Sequence, residues 1–477
     1  MAKNQSSYSF NELSSATSGN WKNLTSDISE SEVKSVITDS RSNCRHSLFL
    51  ALEGDKFDGH NFIKQAIEQN ASALCVNKDK YKYLDIPSDI PVLLVKNTLT
   101  AYQNIATHNR LRLENITIIA LTGSNGKTST KDILLNILTS EFGSEKVYAT
   151  KANTNNHIGV PLNLLSINKN HRFAIIEMGS NHLGEIAILA SIAKPDIAAI
   201  TSIGPSHLEF FKDLRGVAKE KSAIFSCFNK NRPNTAIIPS DCPEHDYIVS
   251  LIPREIPITT FGTTNNSDIK LTYKSSNLCS SEFLLKWKND NSNYLVKSKL
   301  AGAHQASNAA AAASIAHSIG ISRKNIIKHL FNASVEGLRM KISVHNNITW
   351  INDAYNSNPL STKAGIDYIS EIDNSAETKN DIYIILGNML ELGEKTINEH
   401  ISVLEYACKL PGNMVICCVG DIINKAAVKL SNSRINNFGN NLEVINYLKK
   451  TLQPTNIVYL KGSRGAKLEE IEKNFSK

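Results

Sequence analysis

Gly123-Ser124-Asn125-Gly126-Lys127-Thr128-Ser129 has the residue types and spacing of a phosphate cradle. A β-branched run, Ile116 to Leu121, leads into it, and apolar residues at helical spacing follow from Ile133. In that order of strand, loop and helix, backbone N–H groups and the positive end of the helix dipole make a pocket for anions. Lys127 would lie along the outer phosphates, and the Thr128 hydroxyl would ligate Mg²⁺. The spacing is the shorter G-x-x-G-K-T form, because the position that commonly carries the first glycine is Leu121. A Gly-rich turn with a surface lysine is the plainer reading, and the complete strand–loop–helix order disfavours it.

Further groups with chemical potential sit where strands should end. The apolar run Arg172 to Ile176 ends in Glu177-Met178-Gly179, and a strand-end carboxylate beside a phosphate loop suits Mg²⁺, which takes oxygen ligands. Asp196 to Ser202 ends in Gly204-Pro205-Ser206-His207-Leu208-Glu209. The helix beyond it carries Lys219 and Lys221, and residue physics does not choose between them. Asn153, Asn155 and Asn156 precede an apolar helix start, more amides than a plain linker needs. His304 and Asn308 are four apart on an Ala-rich helix and share a face. Near the N-terminus, Ser40-Arg41 and Asp58-Gly59-His60 taken alone read as surface and as a turn.

These groups need elements to hold them. At 477 residues and roughly 150 per domain the chain should form about three units. Residues 1–105 alternate short strands and helices, among them a strand Leu48 to Leu52, a polar loop Glu53 to His60 and a strand Ala73 to Val76. Residues 106–333 carry the phosphate loop, with a β-rich insertion over 233–300. Residues 334–477 repeat strand–helix alternation, with strands Thr349 to Asn352, Asp381 to Leu386, Met414 to Val419 and Asn456 to Leu460. Polar groups at the ends of those four strands predict a doubly wound sheet presenting one active edge. The expected fold class is α/β: a small N-terminal domain, a central phosphate-loop domain with a mostly parallel sheet, and a Rossmann-like C-terminal domain. No G-x-G-x-x-G fingerprint marks a nicotinamide site.

Composition excludes several classes. Apolar content of 41% and charged content of 20% describe an ordinary soluble protein. The net charge of +7 comes without a Lys/Arg block, so nucleic acid is not an expected partner. Eight scattered cysteines, the polar stretch Met1 to Phe10 and the lack of any membrane-length apolar run predict a cytoplasmic protein with reduced thiols.

Taken together, the motifs resemble the ATP-dependent Mur ligases of peptidoglycan synthesis over nearly the whole chain. The carriers are Asp39-Ser40-Arg41, Asp58-Gly59-His60, Thr122 to Thr128, Asn155 to Pro161, Glu177-Met178-Gly179, His207-Leu208-Glu209, Ala218 to Lys221, Gly302-Ala303-His304, Asp353 to Pro359, Gly387 to Gly393 and Lys461 to Arg464. Each is weak alone, and their order is specific. The last three blocks resemble the branch that joins D-alanyl-D-alanine to UDP-N-acetylmuramoyl-tripeptide, working through an acyl phosphate.

The resemblance implies that Ser40, Arg41, Asp58, Gly59 and His60 hold the UDP end of the substrate, and that Gly123 to Ser129, with Asn308, Arg339 and Asp353, serve ATP. It implies Thr128, Glu177, His207 and a carbamylated Lys221 around Mg²⁺, with Lys127, His207 and Lys221 in catalysis. Asn155, Asn156, Asn356, Asn358 and Arg464 would contact substrate, the C-terminal groups arriving on domain closure. A monomer is implied. Three positions depart from the family's usual pattern: Gln305 replaces Asn, Ser357 replaces Ala, and Asn388 replaces an acid. A folylpolyglutamate-type ligase would share the last two domains, but the Ser40-Arg41 and Asp58-Gly59-His60 blocks disfavour it. A nucleotide-binding relative without catalysis is disfavoured by retention of Lys127, Glu177, His207 and Lys221.

Overall fold

The β-branched run before the phosphate loop forms the strand Thr117–Thr122, and its side chains alternate between two hydrophobic layers. Ile119 and Leu121 pack with Ile133, Leu134, Ile137 and Ala309 to Ala313, so the helices Lys127–Phe142 and Ala303–Ser318 cover one face. Ile118 and Ala120 pack with Val160, Leu164 and Leu189, under the helices Gly159–Ser166 and Glu185–Ala193. Burial on both faces explains why the strand is apolar throughout. The computed structural model describes residues 7–25, 30–54, 57–335, 337–375 and 381–476.

Thr117–Thr122 pairs in parallel with Phe173–Glu177 on one side and Ile197–Ile200 on the other. The nine-stranded sheet continues in parallel through Thr235–Pro239, Ile258–Gly262 and Ile269–Ser276, then turns antiparallel through Ser281–Trp287 and Tyr294–Ser298. The expectation of a β-rich insertion over 233–300 is therefore corrected. These strands extend the main sheet, and the helix His245–Leu251 lies between two of them.

The C-terminal sheet has six strands in the order Lys341–His345, Ile348–Asn352, Ile457–Lys461, Ile382–Gly387, Met414–Val419, Ile435–Phe438. All neighbours are parallel except the first pair. Its core splits into two layers, with Ile384 and Tyr459 on one side and Trp350, Ile385 and Val458 on the other, as a doubly wound sheet requires. The N-terminal sheet has five strands, four of them parallel, with Asn20–Lys22 antiparallel at one edge. The architecture is α/β in three parts.

The expected division at residue 105 falls inside the helix Thr98–Arg112. Arg110 at its end is buried, and its guanidinium reaches both carboxylate oxygens of Asp196 at 3.0 and 2.9 Å. Asp196 also accepts from Ile118 N–H at 2.7 Å, so this helix is fastened to the middle sheet. The polar loop expected over Glu53 to His60 contains the paired strands Glu53–Gly54 and Phe57–Asp58, while Asp55 and Lys56 lie outside the described residues, as do residues 1–6 of the polar start. All eight cysteines are free. No helix among the described residues is long and apolar enough to cross a membrane.

Candidate active site

The strand ends of the middle and C-terminal sheets face one cleft of about 890 Å³. Its floor is the phosphate loop. Gly126 stands before the helix Lys127–Phe142 with φ +81°, and a Cβ there would come 2.2 Å from Asn308 Oδ1. Glycine is thus required for both conformation and space. The first-turn amides of this helix have no acceptor within the helix, which leaves donors for an anion. Thr201 and Ser202 hold the loop from the next strand through their hydroxyls on the carbonyl of Asn125. The Lys127 ammonium is folded back on the Gly123 carbonyl at 2.6 Å, and desolvation lowers its pKa, with Glu177 opposing and Arg339 adding to the effect.

Glu177 closes its strand as predicted and is 2% exposed. One of its oxygens accepts from the Thr128 hydroxyl at 2.8 Å and the other from the Asn155 amide at 2.9 Å. Hydroxyl and carboxylate oxygens converging beside a phosphate loop fit Mg²⁺, which takes one or two carboxylates together with phosphates and water. His207 lines the same cleft at the start of the short helix Leu208–Phe211, its Nδ1 2.5 Å from Glu391 Oε2. That contact lowers the Glu391 pKa.

The structure separates the two lysines that residue physics left open. Lys219 is exposed, whereas Lys221 is 1% exposed, with Nζ 2.8 Å from Ser180 Oγ and 5.1 Å from the Phe211 ring centre. Glu220 and Glu185, the acids that could have paired with it, cap backbone instead. Glu220 accepts from Gly184 and Ile186 N–H, and Glu185 from Asn181 and His182 N–H. Burial therefore lowers the Lys221 pKa to about 7, helped by Lys127.

The C-terminal part contributes the opposite wall. Asn358 Nδ2 donates to Asn125 Oδ1 at 2.8 Å, joining the loop after Asn352 to the phosphate loop. Asp353 accepts from Lys461 at 2.6 Å and from the Tyr459 hydroxyl at 3.2 Å. Lys461 also donates to the Asn356 carbonyl at 3.0 Å, pinning that loop at both ends. The Arg339 guanidinium stacks 3.9 Å over the Tyr355 ring. Arg464 reaches the cleft, paired with Glu469 at 2.5 Å. Asn308 is held by Gln305 Oε1 at 3.1 Å, so the unusual Gln305 has a positioning task. Asn388, where an acid was expected, donates to Asp421 and accepts from Ile423 N–H, away from the cleft lining.

Other candidates do local work. Asn156 lines the cleft while capping the next helix through Ile158 and Gly159 N–H. The five N-terminal candidates are not part of the cleft lining. Ser40 donates to Gln65, and Arg41 pairs with Asp39 at 2.7 Å on the surface. His60 Nδ1 is 2.6 Å from Asp58, its Nε2 accepts from Asn77 N–H at 3.0 Å, and a Cβ on Gly59 would meet Leu52 backbone at 2.8 Å. Asp58-Gly59-His60 is thus a built joint beyond a simple turn. The sequence reading missed Lys461 and Glu391 as site groups, although both lie in blocks at strand ends, the signal that pointed to Glu177.

Comparison with known proteins agrees with this geometry. The family model for the Mur ligase middle domain matches residues 121–316, that for the Mur ligase glutamate ligase domain 338–464, and that for the Mur ligase family catalytic domain 32–110. The UDP-N-acetylmuramoyl-tripeptide--D-alanyl-D-alanine ligase of Bacillus subtilis is 31% identical over 447 residues, 93% of each chain. The Escherichia coli enzyme of the same name is 32% identical over 439 residues, 91% of this chain and 92% of its own. Among solved structures, a MurF from Acinetobacter baumannii superposes with a TM-score of 0.87 at 29% identity, covering 99% of both chains. The Thermotoga maritima MurF in complex with ADP shares the fold, with a TM-score of 0.80 at 23% identity over 95% of this chain and 98% of its own. By these matches and the cleft that accompanies them, the chain belongs to the Mur ligase family.

Proposed function

We propose that the chain is an ATP-dependent, ADP-forming ligase that joins UDP-N-acetylmuramoyl-tripeptide to D-alanyl-D-alanine, giving the UDP-muramoyl-pentapeptide precursor of peptidoglycan. The observation that carries this reading is one cleft where the phosphate loop of the middle part meets the Asp353–Asn358 loop of the C-terminal part. A carboxylate is a poor electrophile, so its oxygen first attacks the γ-phosphorus of ATP. The bond to the bridging oxygen breaks and ADP leaves. The dipeptide amine then attacks the acyl phosphate carbonyl, the carbonyl–oxygen bond to phosphate breaks, and the nitrogen gives up its proton as the amide forms.

The residues divide this work. Gly123 to Ser129 wrap the phosphates, and Lys127 leaves the Gly123 carbonyl to neutralise the transferring group, since phosphoryl transfer depends on positioning and charge compensation. Thr128, Glu177 and His207 would hold Mg²⁺, which would neutralise phosphate charge. Lys221, as a carbamate formed when its free amine adds to CO₂ and loses a proton, would supply two oxygens to the same region. Asn308, Arg339 and Asp353 take the nucleotide. Asn155, Asn156, Asn356, Asn358 and Arg464 take the substrates, and Ser40, Arg41, Asp58, Gly59 and His60 the UDP end. In this reading the working units are 1–105, 106–333 and 334–477, and the protein acts as a cytoplasmic monomer. Phosphate release from ATP should require both the UDP-tripeptide and the dipeptide, with a UDP-pentapeptide mass appearing in step. Release with neither substrate, or with a folate and glutamate in their place, would overturn the reading.

A further inference from the structure

His207 and Glu391 face each other from different parts of the chain. His207 opens the helix Leu208–Phe211, and Glu391 lies in the loop after the strand Ile382–Gly387. Both have left-handed backbone, with φ +49° and +62°. That conformation costs a non-glycine residue about 1–2 kcal/mol, so two such residues in contact imply a meeting the surrounding structure enforces. The backbones beneath them are fitted closely: a Cβ on Gly393 would come 3.0 Å from Glu209 Cα. Nδ1 lies 2.5 Å from Glu391 Oε2 without hydrogen-bond alignment in this arrangement, and the ring stands edge-on to Phe211 at 5.9 Å.

A histidine that binds a cation through one ring nitrogen generally gives its other N–H to a carboxylate or carbonyl, which sets tautomer and ring plane. Two other cleft carboxylates are engaged elsewhere, Glu177 by Thr128 and Asn155, and Glu185 by backbone N–H groups. Asp353 is held by Lys461. We propose that Glu391 is the positioning residue for His207. A small turn of the ring or carboxylate as a divalent cation binds would let the carboxylate accept the Nδ1 proton, which leaves the Nε2 lone pair for the cation. The inference rests on the reading of His207 as a cation ligand. Because Glu391 comes from the C-terminal part, docking of that part and cation binding are coupled, each favouring the other by the same factor.

The test uses the full chain with ADP and Mn²⁺, free Mn²⁺ being read by electron paramagnetic resonance so that no turnover is needed. Glu391→Ala should weaken Mn²⁺ binding by about 10- to 100-fold. Glu391→Gln keeps an oxygen acceptor for Nδ1–H and should lose clearly less. His207→Ala should lose at least as much as Glu391→Ala, and the double variant no more than His207→Ala alone. Thermal melting checks that each variant is folded. Wild-type Mn²⁺ affinity in Glu391→Ala beside a weakened His207→Ala, or equal losses in the Ala and Gln variants, would overturn the positioning role. Unchanged affinity in His207→Ala would overturn the reading of His207 as a ligand, and the role of Glu391 with it.

Discussion

At the scale of single residues, Lys221 shows what burial does to a charge. The folded chain releases its proton near pH 7, whereas the unfolded chain keeps it until about 10.5. Between those values the unfolded state binds more protons, so the destabilisation from Lys221 is complete below pH 7 and fades as pH rises through the window. In CO₂-free buffer, Lys221→Met should therefore be more stable than wild type at pH 6, with a gap that narrows toward pH 10 in urea titrations. A constant gap would contradict the burial argument. The same free amine is what can attack CO₂. Lys221→Ala should be nearly inactive and regain turnover with added short carboxylic acids, and full activity without them would rule out a catalytic role. Lys127→Ala should fold and lose about 10²- to 10³-fold in rate, and near-normal turnover would exclude it from charge compensation. Sequence spacing made Lys127, Thr128 and Glu177 legible because each follows from a strand end or a loop motif. It left Lys219 and Lys221 undecided, since only the helix's orientation in the fold says which one is buried.

At the scale of elements, the strand–loop–helix around Gly126 decides whether a phosphate can enter. Gly126→Ala places a methyl group on Asn308 Oδ1 at a left-handed position. A strain of about 1–2 kcal/mol borne by the ADP-bound loop corresponds to roughly 5- to 30-fold in ADP affinity. Calorimetric titration should show that loss while melting temperature falls only modestly, and unchanged affinity would mean that the loop relaxes freely. The four C-terminal strands that end in polar residues were readable from their apolar runs. The edge strands Lys341–His345 and Ile435–Phe438 were not, because half-exposed edges carry mixed residues without a buried face. Over 233–300 the pattern of short strands was right, but their membership of the main sheet depends on parallel pairing across long separations, which composition does not encode.

At the scale of the whole molecule, polar contacts that bring the C-terminal part onto the middle part include Asn358 to Asn125, Glu391 to His207, Glu371 to the Tyr273 hydroxyl and Ser276 N–H, each at 2.6 Å, and the Tyr368 hydroxyl to the Leu278 carbonyl. The first two use phosphate-loop or candidate cation-site residues, so ligands should favour the docked arrangement. Solution scattering with an ATP analogue and UDP-tripeptide should give a smaller radius of gyration than the free protein. An unchanged value at saturation would count against ligand-driven docking. The three-part organisation was legible from chain length and strand-end placement, and the arrival of Asp353 and Asn358 at the cleft only through the resemblance to the Mur ligases. The absence of Ser40, Arg41 and Asp58 from that cleft's lining was not, because it depends on how the helix Thr98–Arg112 is fastened to the middle sheet through Arg110 and Asp196.

The most direct test of the central claim follows one oxygen. If the reaction passes through an acyl phosphate, UDP-muramoyl-tripeptide labelled with ¹⁸O in its terminal carboxylate must transfer one labelled atom to inorganic phosphate for each amide bond formed. Mass spectrometry of the phosphate should show that stoichiometry, dependent on ATP and D-alanyl-D-alanine. Amide formation with unlabelled phosphate would contradict the account.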